Sequence, residues 1–130
     1  MDDGCVLIVE ADVLIRSPLA EYLRDCGYKV LEAGDGQEAR QILQEQAGAI
    51  DIVLANVNAT REKGFELAVW IRNNYPAIEV LLAGTAMTAV EKASDICEEG
   101  PEAVPYDHRL ILDRIRQLVA ARHRAKKEKD

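Results

Sequence analysis

Three short clusters carry the residues whose chemistry could matter in this chain: Glu10-Ala11-Asp12, Asn56-Val57-Asn58 and Gly84-Thr85. Carboxylates gathered at one point offer a divalent cation the hard oxygen ligands it needs, and a carboxylate beside that cation can attack phosphorus. Asn56 brings an amide to its cluster. Its nitrogen lone pair is delocalised into the carbonyl and it has no anionic oxygen, so it is not a nucleophile of this kind. Ala11 contributes a methyl group, and Asp12 is well placed to cap a following helix. Glu10 is therefore the one firm acid, kept as the only candidate ligand for a weakly held cation; no metal site is assigned.

Each cluster follows a short, continuous apolar run, the pattern of a strand buried on both faces of a parallel sheet. The runs are Cys5 to Val9, Lys29 to Leu31, Ile52 to Ala55 and Ile78 to Ala83, with a weaker fifth at Ala103-Val104 between Pro101 and Pro105. Between them lie helical patterns. Leu14, Ile15, Leu19, Tyr22, Leu23 and Cys26 share one face and Gly27 ends that helix; Ala39, Ile42 and Leu43 share another. Pro18 either kinks the first helix or starts a shorter one capped by Ser17. A third helix is expected from Phe65 to Asn73, and a fourth from Ala89 to Glu98. A last helix is capped by Asp107, with Leu110, Ile111, Ile115, Leu118 and Val119 as its stripe. Strict alternation implies an open, doubly wound α/β sheet whose crevice lies at the carboxyl ends of the strands, where the three clusters fall.

With 130 residues, 48% of them hydrophobic, the chain makes one domain with its own core. Residues 1–121 are assigned to it, and residues 122–130 to a basic tail, a solvated helix end. A net charge of −7 argues against nucleic acid as a partner. No apolar run is long enough to span a bilayer, so a cytoplasmic location and no membrane contact are expected. Cys5, Cys26 and Cys97 are odd in number and widely spaced, and are read as reduced core thiols. Trp70 is expected to pack on the sheet, and His108 to lie on the surface.

In order and spacing, these segments resemble the receiver domain of two-component response regulators, from residue 5 to about residue 120. The resemblance rests on Val6-Leu7-Ile8-Val9-Glu10-Ala11-Asp12, Gly34-Asp35-Gly36-Gln37-Glu38-Ala39, Asp51-Ile52-Val53-Leu54-Ala55-Asn56, Gly64-Phe65-Glu66-Leu67 and Pro105-Tyr106-Asp107. It implies a flavodoxin-like (βα)5 fold with strand order 2-1-3-4-5, and Mg²⁺-assisted phosphoryl transfer from a histidine kinase to an aspartate ending the third strand.

The sequence departs from that pattern at five positions. Ala11 replaces an acid, Asn56 the acceptor, Thr60 a proline, Gly84 the hydroxyl residue after strand four, and Val104 the lysine before the strand-five proline. The expectation is a single-domain receiver of two-component (phosphorelay) signalling that is not an enzyme, uses no cofactor and acts by binding protein. Its partner would be a histidine kinase or another two-component protein, or a second copy through the face of helix four, strand five and helix five, with Tyr106 as the leading interface residue. Two other readings stay open: a receiver phosphorylated at a non-standard acid such as Asp12, and a flavodoxin-like nucleotide or flavin binder. No glycine-rich phosphate loop supports the second.

Overall fold

The computed structural model describes residues 4–57, 65–100 and 108–129. Strands β1 (Cys5–Val9), β2 (Lys29–Ala33), β3 (Ile52–Asn56) and β4 (Glu79–Ala83) form one parallel sheet in the order β2-β1-β3-β4. This is the expected order as far as it goes; the fifth strand expected at Ala103-Val104 falls outside the described residues. All five residues of β1 are buried, because the strand is central and covered on both faces. Val6 and Ile8 enter one core, while Cys5, Leu7 and Val9 enter the other.

Helix α1 (Val13–Asp25) starts at Asp12, whose carboxylate accepts the Leu14 N–H at 3.0 Å. Pro18 lies inside this helix, so Ser17 does not start a shorter one; the ring withholds only the N–H that would have met the Leu14 carbonyl. The helix closes at Gly27, the only described residue with positive φ (94°), which lets the Gly27 and Tyr28 N–H groups turn back onto the Arg24 and Leu23 carbonyls. Helices α2 (Gly36–Gln46) and α3 (Glu66–Asn74) cover the Leu7 side of the sheet through Ala39, Leu43, Leu67 and Ile71. Trp70 packs against that core, edge-on to Tyr75 (ring centroids 5.6 Å apart) and with the Arg40 guanidinium 5.5 Å over its ring.

Helix α4 (Ala86–Glu98) begins three residues before the expected start, because Thr85 and Thr88 form a reciprocal cap. It lies on the same side of the sheet as α1. A right-handed crossover to a parallel strand beyond β4 would place it beside α3. Three contacts hold it where it is. Cys26 and Cys97 form a disulfide, so only Cys5 is a free, buried thiol, and the expectation of three reduced thiols is corrected. The Tyr28 hydroxyl donates to the Ile96 carbonyl at 2.9 Å. Gly100 packs so closely that a Cβ there would stand 2.8 Å from the Tyr28 ring.

Helix α5 (His108–Lys129) lies over α1 and α4 with Ile111 and Ile115 buried. Leu112, not Leu110, shares that inner face; Leu110 is 58% exposed. The helix runs on through the basic segment to Lys129.

Candidate functional site

The clusters after β1, β3 and β4 do converge at the carboxyl edge of the sheet. Glu10 continues β1, its N–H donating to the Ala33 carbonyl at 3.0 Å, which carries its side chain inward until the residue is only 4% exposed. A carboxylate so far from water needs donors. Oε1 accepts from Asn56 Nδ2 at 2.7 Å and Oε2 from the Asp12 N–H at 3.2 Å. Because an ionised carboxylate only accepts, this contact fixes the Asn56 amide with its NH₂ toward Glu10. Asn56 is the last residue of β3 and pairs in register with Ala83 of β4. The site is thus a hydrogen-bonded amide–carboxylate pair at the centre of the crevice.

Asp12 caps α1, and its carboxylate also receives a bidentate guanidinium: Arg122 Nη1 lies 3.0 Å from Oδ1 and Nη2 lies 2.8 Å from Oδ2. The Arg122 bond and the Leu14 N–H hold the Asp12 carboxyl below its ordinary value, against a smaller opposing effect of burial. An acid with a depressed native value adds stability that is complete above its unfolded value and is lost as pH falls through the native one. Acid unfolding of Asp12→Asn, followed by circular dichroism, should therefore show a shallower loss of stability than the wild type below the ordinary carboxylate value of 3.8.

On the other flank, Arg16 Nη1 donates to the Glu10 carbonyl at 2.7 Å and its Nε to Glu32 at 3.3 Å. After β4, Gly84 offers no hydroxyl, and a Cβ there would make only an ordinary 3.8 Å contact with Val57, so space alone does not require glycine. The Thr85 hydroxyl accepts from the Thr88 N–H at 3.1 Å, the α4 cap. Val104 and Tyr106, with Asn58, Thr60 and Asp107, lie outside the described residues.

Behind the Glu10–Asn56 pair the packing leaves a cavity of about 10 Å³, the size of one water at most; ligand pockets measure hundreds. Among the described residues, no three His, Cys, Asp or Glu side chains are grouped to hold a metal ion. None of their helices is long and apolar enough to cross a membrane. Arg122 and Arg16 were not anticipated as site residues. For Arg122 a signal existed, since Ile111, Ile115, Val119 and Arg122 follow one another at helical spacing. For Arg16 there was none.

The response regulator receiver domain model matches residues 6–103. The transcriptional regulatory protein PdtaR of Mycobacterium tuberculosis is 41% identical over 92 residues, covering 69% of this chain and 44% of that protein. The sensor histidine kinase RcsC of Salmonella typhi is 31% identical over 125 residues, 92% of this chain but 12% of the kinase. The chain therefore spans less than half the length of either relative. In fold, it superimposes on the chemotaxis response regulator CheY4 of Vibrio cholerae with a TM-score of 0.60 at 22% identity, covering 89% of this chain and 98% of that one. With a strand-end crevice on a sheet of matching order and a family model covering most of its length, this chain belongs to the response regulator receiver domain family of two-component signalling.

Proposed function

We propose that this receiver works without phosphorylation, as a protein-binding module of a two-component pathway. The observation that carries the reading is the 2.7 Å bond from Asn56 Nδ2 to the buried Glu10 carboxylate. At the end of β3, where the family's acceptor aspartate stands, there is a donor already bonded to the crevice's one buried acid. The remaining acid, Asp12, has both carboxylate oxygens on the Arg122 guanidinium, which argues against its serving as an alternative acceptor.

The residues present do not fit Mg²⁺. A hard dication needs carboxylate oxygens free to enter an octahedral shell. Here Glu10 is turned to Asn56 and the Asp12 backbone, and Asp12 to Arg122. No step is therefore assigned to a metal.

A histidine kinase or another two-component protein is the partner this family membership suggests. The seam between α4 and α5 is the surface for a homodimer. It holds a groove of about 350 Å³ with Met87 and Leu112 on its walls and charges of both signs from Glu91, Arg109, Asp113 and Arg116. Mixed charge suits a self-complementary contact.

Incubation with acetyl phosphate and Mg²⁺, read by intact-protein mass spectrometry, should leave the mass unchanged. A phosphoryl adduct mapped to Asp12, or to any other acid of the crevice, would refute the reading.

A further inference from the structure

Beside the Asp12–Arg122 pair, a groove of about 460 Å³ lies between α5 and the amino ends of α1 and α4. Its floor is Ile15, Ala86, Ile115, Val119 and Ala120, and its rim is Asp12, Arg116 and His123. Val13 and Met87, next in the chain to two of these, are about half exposed, at 52% and 49%. Apolar surface of this kind, open to water on a small domain, marks a docking place.

Charge says what would cover it. Asp12 is already matched by Arg122, so the one acid on the rim is neutralised. Arg116 and His123 line the groove along α5, and Arg124 follows His123 in the chain; all three are exposed, and none has an ion pair among the described residues. A chain of net charge −7 thus presents a basic border around an apolar floor. A second copy docked about a two-fold axis would set this basic border against itself. We propose that the groove receives an acidic amphipathic helix of a partner protein, its apolar side chains filling the floor and its carboxylates meeting Arg116 and Arg124. The groove adjoins the α4–α5 seam and shares Arg116 with it, but α1 forms one of its walls.

The proposal rests on the reading of the chain as a binding module, but its test is independent of phosphoryl labelling: a failure here leaves the mass-spectrometry result standing, and the reverse. The probe is a synthetic fluorescent helical peptide with leucines on one face and glutamates on the other, titrated with the full chain and followed by anisotropy. It should bind at least about tenfold more tightly than the same peptide with lysine for glutamate, or than a scrambled one, and more weakly as salt rises. Ala120→Trp fills the groove from an exposed position and should weaken binding by about tenfold or more. Arg116→Glu, on the exposed rim, should do the same without touching the core, which keeps the test open if Ala120→Trp fails to fold. Equal affinity for the three peptides, or binding indifferent to both variants, would overturn the proposal. So would self-association of the wild type, by sedimentation, that Ala120→Trp abolishes.

Discussion

Replacing Asn56 by aspartate is expected to cost about 3 kcal/mol of stability at neutral pH, although the change is isosteric. Asn56 Nδ2 now donates to Glu10 Oε1 at 2.7 Å, and Glu10 is only 4% exposed. With aspartate, the donor is lost and two carboxylates meet at hydrogen-bonding distance in a site with little water. They cannot both ionise cheaply, so one proton is held by the pair in the folded state above the pH at which the unfolded chain releases it. The folded variant then binds more protons than the unfolded one, and its stability falls as pH rises from about 4 toward 7. Urea denaturation of both proteins at about pH 5 and about pH 7.5 reads this as a gap that widens with pH. A gap that stays constant would mean that Glu10 and residue 56 are not in contact.

The second large effect is expected from reduction. A disulfide closing a loop between residues 26 and 97, a sequence separation of 71, stabilises by about 4 kcal/mol through the entropy it removes from the unfolded chain. Without it, α4 keeps Ala89, Val90, Ala93 and Ile96 in the core but loses its covalent tie to α1. The Cys26→Ala, Cys97→Ala double variant and the reduced wild type should show nearly the same lowered urea midpoint. Thiol titration in denaturant should count one thiol, Cys5, before reduction and all three after. Three reactive thiols in the untreated protein would exclude the bond. Cys5 itself should be inert in the native state, since burial pushes its thiol up from the ordinary value, with the nearby Asp51 charge adding to this.

What was legible in the sequence was whatever a continuous pattern encodes. The apolar runs gave β1 and β3 almost to the residue, because both are buried on two sides and admit no polar residue until their ends. The run was a poorer guide for β2, which extends to Ala33 through Glu32. That strand is at the edge, and Glu32 lies outward between Arg16 and Arg24, where charge costs little. The carboxyl-edge location of Glu10, Asn56 and Gly84 followed from alternation alone, and the family's motif spacing agreed with it.

The rest depended on contacts between residues far apart in sequence. Nothing local in Cys26 or Cys97 marks them as partners, and α4 lies beside α1 for reasons that only the packed structure shows. Arg122 was read as part of a solvated tail because its neighbours are basic, yet it stands one turn beyond Val119 on the inner stripe and closes on Asp12, 110 residues earlier. Thr85 belongs to the cluster after β4, but its pairing with Thr88 is the stronger signal, as the start of a helix.

The Cys26–Cys97 bond makes the middle of this protein a covalent ring with two free arms. Inside the ring lie β2, α2, β3, α3, β4 and nearly all of α4; outside it are β1 and all of α1 on one arm and α5 on the other. A protease that cuts one peptide bond within the ring therefore opens it without releasing a fragment, and the two pieces travel together on a gel until reductant is added. A cut in either arm sheds a piece at once, so the same nick has opposite visible outcomes depending on which side of a sulfur it falls.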